Sequence, residues 1–121
     1  MDFDLSTSSA KEETLYFSEL AREQDMREIV ELFVQELPSR LAALRRAAGT
    51  HDWEEVCRLA HQLKGASGSY GFPNLMQEAA RVERAARDHN SELETQAALE
   101  QLATICAGTR PGLPAAPTGN L

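Results

Sequence analysis

The sequence predicts an all-α protein: an up-down-up-down antiparallel four-helix bundle preceded by a short N-terminal lead-in helix. Three observations carry this. Apolar residues recur every three or four positions through successive stretches, the period of a one-sided helix. No stretch alternates apolar with polar residues as a half-buried strand would. The connections are short and rich in capping and turn residues, which favours antiparallel neighbours packed around one core.

Residues 1–12 are polar and predict a flexible N-terminus. Ser6-Thr7-Ser8-Ser9 offers caps for the lead-in helix, whose apolar positions are Leu15, Phe17, Leu20 and Ala21. From Asp25 the spacing of Ile29, Phe33, Leu37, Leu41, Leu44 and Ala48 predicts a long amphipathic helix. Pro38 falls within it, which predicts a kink or short break, because proline removes a backbone donor and crowds the preceding turn. Gly49-Thr50-His51 ends this helix. Asp52 with Glu55 resembles a capping box for the next, along whose seam lie Trp53, Val56, Ala60, Leu63 and Ser67. Gly71-Phe72-Pro73-Asn74 breaks the chain, and Leu75, Ala79, Val82 and Ala86 mark a further helix. Ser91 and Glu94 predict a capping box for the last, with Leu99, Leu102, Ala103 and Cys106 inward. The bundle spans 13–107, and the Pro/Gly-rich stretch 108–121 reads as a disordered tail.

Length and charge narrow the function classes. At 121 residues the chain has room for one domain and one core. Its 19 acidic residues outnumber 12 basic ones, for a net charge of −7, with no basic run longer than Arg45-Arg46. Nucleic acid, which needs a clustered cationic surface, is not expected as a partner. A positively charged partner face fits better. No apolar run is long enough to span a bilayer, and the start Met-Asp-Phe-Asp-Leu is unlike a signal peptide, so no membrane association is expected and the cytoplasm is the expected compartment. Cys57 and Cys106 form no CxxC pair and read as small core or flank residues.

The chemistry concentrates on the helix carrying Ala60-His61-Gln62-Leu63-Lys64-Gly65-Ala66-Ser67-Gly68. At 100° per residue His61 lies about 120° from the centre of the apolar seam, so its imidazole should face solvent. Lys64, Gly65 and Gly68 fall on the same stripe. Each glycine inside a helix costs about 1 kcal/mol relative to alanine, so a pair on one exposed face calls for a reason. Clearance is one: another macromolecule can approach the backbone beside His61, while Lys64 offers an ammonium to an anion held there. Phosphoryl transfer through an imidazole nitrogen needs this set, since imidazole is largely neutral and nucleophilic near pH 7 and such catalysis is mostly positioning plus charge neutralisation. No nucleotide loop or Mg²⁺-binding carboxylate set accompanies it. The donor, the metal and the machinery would come from a partner. Taken alone, His61 is also compatible with an ordinary exposed histidine.

The run Ala60-His61-Gln62-Leu63-Lys64-Gly65-Ala66-Ser67 closely resembles the AH-x-LKG-small-small signature of histidine-containing phosphotransfer (HPt) domains, and the likeness extends to Gly68, Gly71, Leu75 and Glu83. The resemblance implies that His61 is phosphorylated on Nε2 and relays the group between aspartates of response-regulator receiver domains, with a hybrid histidine kinase upstream. It implies that Lys64 neutralises the phosphate, that Gly65 and Gly68 permit docking, and that Glu83 orients the imidazole. Read from spacing alone, Glu83 sits on the flank of its helix, where it either reaches the neighbouring helix or pairs with Arg87 at i,i+4. Phe72, with Tyr70, is placed at the edge of the docking patch, core packing being the other assignment for each. No intrinsic cofactor is expected, Mg²⁺ belonging to the receiver. The initial Met and the lack of a kinase or receiver segment favour a free-standing, monomeric shuttle without kinase activity of its own.

Other readings remain. Cys57 and His61 stand at i,i+4, a spacing compatible with a metal, but neither His51 nor His89 supplies a matched pair and no Glu-x-x-His occurs. His51 and His89 read as exposed helix-boundary residues. Trp53 and Phe33 read as core or rim packing. From another class, the alternative is a non-phosphorylated helical adaptor that docks a receiver or kinase. A homodimerising bundle would require a large exposed apolar face.

Overall fold

A computed structural model describes residues 14–88 and 92–114. The chain forms helices α1 (Gln24–Gly49), α2 (Trp53–Ser69), α3 (Pro73–Arg87) and α4 (Glu92–Gly108). A two-residue strand stands at each end, β1 (Tyr16–Phe17) before α1 and β2 (Thr109–Arg110) after α4. α1 packs on α2, α2 on α3, α3 on α4, and α4 back on α1, with α2 and α3 the most closely associated pair. This is the four-helix bundle expected.

The helix boundaries follow local chemistry. α1 runs 26 residues, about 39 Å at 1.5 Å per residue, and continues through Pro38 without the expected break. Pro38 faces solvent, so its ring takes no part in the core although it removes one backbone donor from the helix. α1 ends at Gly49, and His51, with φ 59°, turns the chain toward α2. The Asp52 side chain then accepts the Glu55 backbone N–H at 3.2 Å, capping α2 as its sequence predicts. Gly71 takes φ +82° between α2 and α3, and Pro73 opens α3 where an absent N–H costs nothing. Ser91, the predicted cap of α4, lies outside the described residues.

The core is built from Val30, Phe33, Leu37 and Leu44 of α1, Val56, Ala60 and Leu63 of α2, Leu75, Ala79 and Val82 of α3, and Ala98, Leu99, Leu102 and Ile105 of α4. On α1 the inward stripe starts at Val30; Ile29 and its neighbour Leu32 are exposed. On α4 the inward face is rotated from expectation. Thr95, Ala98 and Ile105 are buried with Leu99 and Leu102, whereas Ala103 and Cys106 are only partly covered. Burial nonetheless pushes the Cys106 thiol up to about 11, against the opposing pull of Arg45.

The predicted lead-in helix is corrected. Tyr16 and Phe17 are extended and pair in parallel with Thr109 and Arg110. The segment after them is pinned to the α2–α3 turn: the Ser18 hydroxyl donates to the Tyr70 carbonyl at 2.5 Å and the Glu19 N–H donates to the Gly71 carbonyl at 2.8 Å. A helix this short is costly to nucleate alone, and these tertiary partners satisfy the same backbone groups. The tail boundary is corrected with it. Gly108 closes α4 and Thr109 is buried, so ordered chain continues past 107. A Cβ at Gly108 would run into the Thr14 carbonyl oxygen, so glycine permits this close approach of the segment before β1 to the end of α4. Residues 1–13 and 115–121, where the remainder of the flexible terminus and of the tail were expected, lie outside the described residues.

Ser67, on the α2 seam as expected, is fully buried and its hydroxyl has no hydrogen-bond partner among the described residues. Ser67→Ala should therefore stabilise the fold by about 1–3 kcal/mol of recovered desolvation and raise Tm. Thermal melts of the two proteins check this; a lower Tm for the variant would show that the hydroxyl is satisfied in solution.

Candidate functional site

α2 and α3 together place four side chains at one point on the surface. His61 and Lys64 project from α2, one turn apart, and Glu83 and Arg87 project from the facing α3, also one turn apart. The His61 ring is 66% exposed, whereas the Glu83 side chain is 9% exposed. The outward imidazole expected from the helical phase is thus observed.

Glu83 is the hub. Its Oε2 lies 2.9 Å from His61 Nδ1, its Oε1 lies 2.9 Å from Lys64 Nζ, and Arg87 Nη1 stands 3.6 Å from Oε2. Both of the alternatives that spacing left open for this residue are therefore realised, the contact across to α2 and the looser approach of Arg87. Burial works against the charged form of Glu83, but hydrogen bonds from Lys64 and His61 outweigh it and hold the carboxyl below its ordinary range. A carboxylate accepts only, so Nδ1 carries a proton, and in the neutral ring Nε2 then keeps its lone pair.

The lowered Glu83 value gives a stability effect of defined sign. The group contributes fully above its ordinary pKa of 4.5, and the contribution is lost as pH falls through the lower folded-state value. The Tm advantage of the wild type over Glu83→Gln should therefore shrink on acidification from about pH 7 to about pH 3. An advantage independent of pH across that window would show that the carboxylate is not stabilised by its neighbours.

Around this hub the structure sorts the remaining predicted residues. Gly65 is exposed, and a Cβ there would meet nothing within 4 Å, so the backbone beside His61 stands open. Gly68 is also exposed, but a Cβ on it would sit 2.9 Å from Met76 Sδ, so this glycine has a close neighbour within the bundle. Phe72 does not belong to a docking patch. It is 1% exposed and its ring stacks on Phe33 with centroids 5.8 Å apart. Capping α3 from the turn carries its side chain inward, because the turn closes over the bundle end. Tyr70 is half-buried against the same Phe33 ring at 5.1 Å.

Sequence reasoning missed Cys57 as a neighbour of the hub: its thiol donates to the Glu83 backbone carbonyl at 3.4 Å, and burial raises its pKa. Arg58, one turn before His61, is held two-pronged on Glu55 at 2.9 and 2.5 Å. Cys57, Arg58, His61, Gln62, Glu83 and Arg87 line one open depression. No group of three or more His, Cys, Asp and Glu side chains is placed to hold a metal among the described residues. His51 is exposed at a helix boundary, as expected, with Nε2 3.0 Å from Glu92 Oε2 and its ring edge-on to Trp53; His89 lies outside the described residues.

A helical bundle that presents an exposed imidazole, oriented from behind by a carboxylate and flanked by cations, has the architecture of a phosphoryl carrier. The Hpt domain family model matches residues 28–110, and the chain belongs to this family. Comparison with curated proteins and with solved structures gave no match. Hpt domains serve histidine phosphotransfer in phosphorelays, as intermediates acting with receiver domains and histidine kinases. No helix among the described residues is long and apolar enough to cross a membrane.

Proposed function

We propose that His61 accepts a phosphoryl group from a phospho-aspartyl receiver domain, free or within a hybrid kinase, and passes it to the aspartate of a response regulator. The observation that carries this is the Glu83 carboxylate on His61 Nδ1. It holds the ring in the tautomer whose free lone pair is on Nε2. In the accepting step Nε2 attacks phosphorus, the bond from phosphorus to the aspartyl oxygen breaks, and the carboxylate leaves with the electron pair. The Nδ1 proton stays between the ring and Glu83, which offsets the positive charge on the phosphorylated imidazole. Passing the group on reverses these roles at a second aspartate. The receiver supplies Mg²⁺, and the chain works as a monomer in the cytoplasm, without kinase activity of its own.

Gly65 leaves the approach to His61 open, and Lys64 is within reach of a phosphoryl oxygen once its ammonium swings from Glu83. Lys64→Ala should slow transfer about tenfold without stopping it, since one charge-assisted contact of roughly 1.4 kcal/mol is lost. Quench-flow transfer rates measure this, and an unchanged rate would assign the lysine to the Glu83 ion pair alone.

The test is phosphotransfer from a radiolabelled phospho-receiver in the presence of Mg²⁺. Label that is acid-labile, alkali-stable and dependent on His61 supports the relay. A folded protein that takes no label from any of several receivers supports the alternative, an adaptor that docks a receiver or kinase without carrying phosphate.

A further inference from the structure

The depression that holds His61 extends along α2 toward the start of that helix, where Asp52, Glu54 and Glu55 line it with Cys57 and Arg58. Beside it the half-buried Trp53 and Cys57 and the buried Ala86 floor a second hollow between α2 and α3, with the exposed Glu54 and Arg87 at its rim. The two hollows share Glu54, Cys57 and Arg87, and so make one groove leading away from the imidazole. Glu54 stands seven residues before His61. At 100° and 1.5 Å per residue that is 20° short of two turns and about 10.5 Å along the same stripe. A partner seated on His61 reaches that far, because even a small transient interface covers roughly 600 Å² on each side, a disc of about 14 Å radius.

The acids at this end are not equally committed. Glu55 holds Arg58 and the Asp52 side chain caps α2, whereas Glu54 has no ion-pair partner among the described residues. Asp88, exposed at the end of α3, adds a negative charge near Cys57. At the other end Lys64 and Arg87 outnumber the one carboxylate of Glu83. The groove is therefore cationic beside the imidazole and acidic two turns away, over an apolar floor.

We propose that this groove seats a segment of the receiver domain bearing a Lys or Arg about 10 Å from the phosphorylated aspartate, and that Glu54 is the residue that selects it. The inference rests on the phosphotransfer reading above and adds to it which receivers the protein prefers. An unpaired carboxylate at the rim acts mainly on association, drawing in an oppositely charged patch and repelling a like-charged one. A receiver that is acidic at that point meets Glu54 and Asp88 as it docks. An exposed ion pair adds little to affinity, which suits a partner that must leave after transfer.

Trp53 is the chain's one tryptophan, so its emission reports on the groove. The test uses tryptophan-free receiver domains in two sets, one with Lys or Arg and one with Asp or Glu about 10 Å from the aspartate. Transfer from each phospho-receiver to wild type, Glu54→Gln and Glu54→Lys is timed with Mg²⁺ at about 50 mM and about 1 M salt. Labelling by phosphoramidate, a donor too small to need docking, controls for an intact His61. Trp53 emission is followed as unphosphorylated receiver is added. The expected result at low salt is transfer from the first set slowed about tenfold by Glu54→Lys and less by Glu54→Gln, transfer from the second set quickened by Glu54→Lys, and both differences lost at high salt. Phosphoramidate labelling stays equal in all three proteins, and receiver shifts the Trp53 emission. Transfer rates indifferent to residue 54 in both sets, or an unmoved emission while transfer proceeds, would overturn the assignment. An emission that changes with protein concentration alone would seat a second copy in the groove and overturn it too. Should no receiver exchange phosphate while the first set still shifts the emission, and Glu54→Lys abolishes that shift, the groove stands and the relay reading falls. Neither transfer nor a shift with any receiver overturns both.

Discussion

His61→Gln should take up no phosphoryl label from any receiver while melting within about 0.5 kcal/mol of the wild type. The two parts of this result have separate causes. The ring is 66% exposed and makes no part of the core, so its removal opens no cavity. Glutamine has no nucleophilic nitrogen, yet its amide N–H can still donate toward Glu83, so the buried carboxylate is not left without a partner on that side. Radiolabel counting and a thermal melt on the same preparation check both. Residual label would place the acceptor elsewhere. A large loss of Tm would show that the imidazole is structural.

Phe72→Ala should do the reverse. Phe72 heads the fully buried side chains by volume and stacks on Phe33. Truncating such a ring costs about 3–5 kcal/mol in lost transfer energy and residual cavity. For a domain of this size that is a fall in Tm of about 10 °C or more. The protein that remains folded at low temperature should still accept phosphate at His61, because the cavity lies on the core side of α2. A residue of the docking patch would behave oppositely, with Tm preserved and receiver affinity reduced, so the pair of measurements decides between the core position and the edge position.

The contrast between these residues explains what could be read from the chain. His61 was legible because a helix of fixed pitch converts residue number into direction, and α2 carries an unbroken seam against which His61 could be phased. Asp52 and Pro73 made the boundaries of α2 and α3 legible for the same local reason. Phe72 lies in a turn, where number does not convert into direction, and its burial depends on how the turn folds back. The face of α4 was misread by a fraction of a turn because Ala97, Ala98 and Ala103 are apolar on every side and give the phase little contrast. The pairing of Tyr16–Phe17 with Thr109–Arg110 joins residues more than ninety positions apart, for which no local pattern exists. For Glu83, spacing gave the flank of its helix and left the partner open between the neighbouring helix and Arg87, and only the family resemblance named the imidazole. The burial of Glu83 arises from the facing helix rather than from its own.

The sharing of one carboxylate by His61, Lys64 and Arg87 has a genetic consequence. His61, Lys64 and Arg87 all approach the carboxylate of residue 83, so each feels the others through it. Substitutions at them will be epistatic: removing one cation tightens the hold of Glu83 on the next, and neutralising Glu83 first alters the effect of all three. A scan that changes one position at a time will therefore mis-rank them, and tolerated variants should occur as linked sets rather than as independent choices.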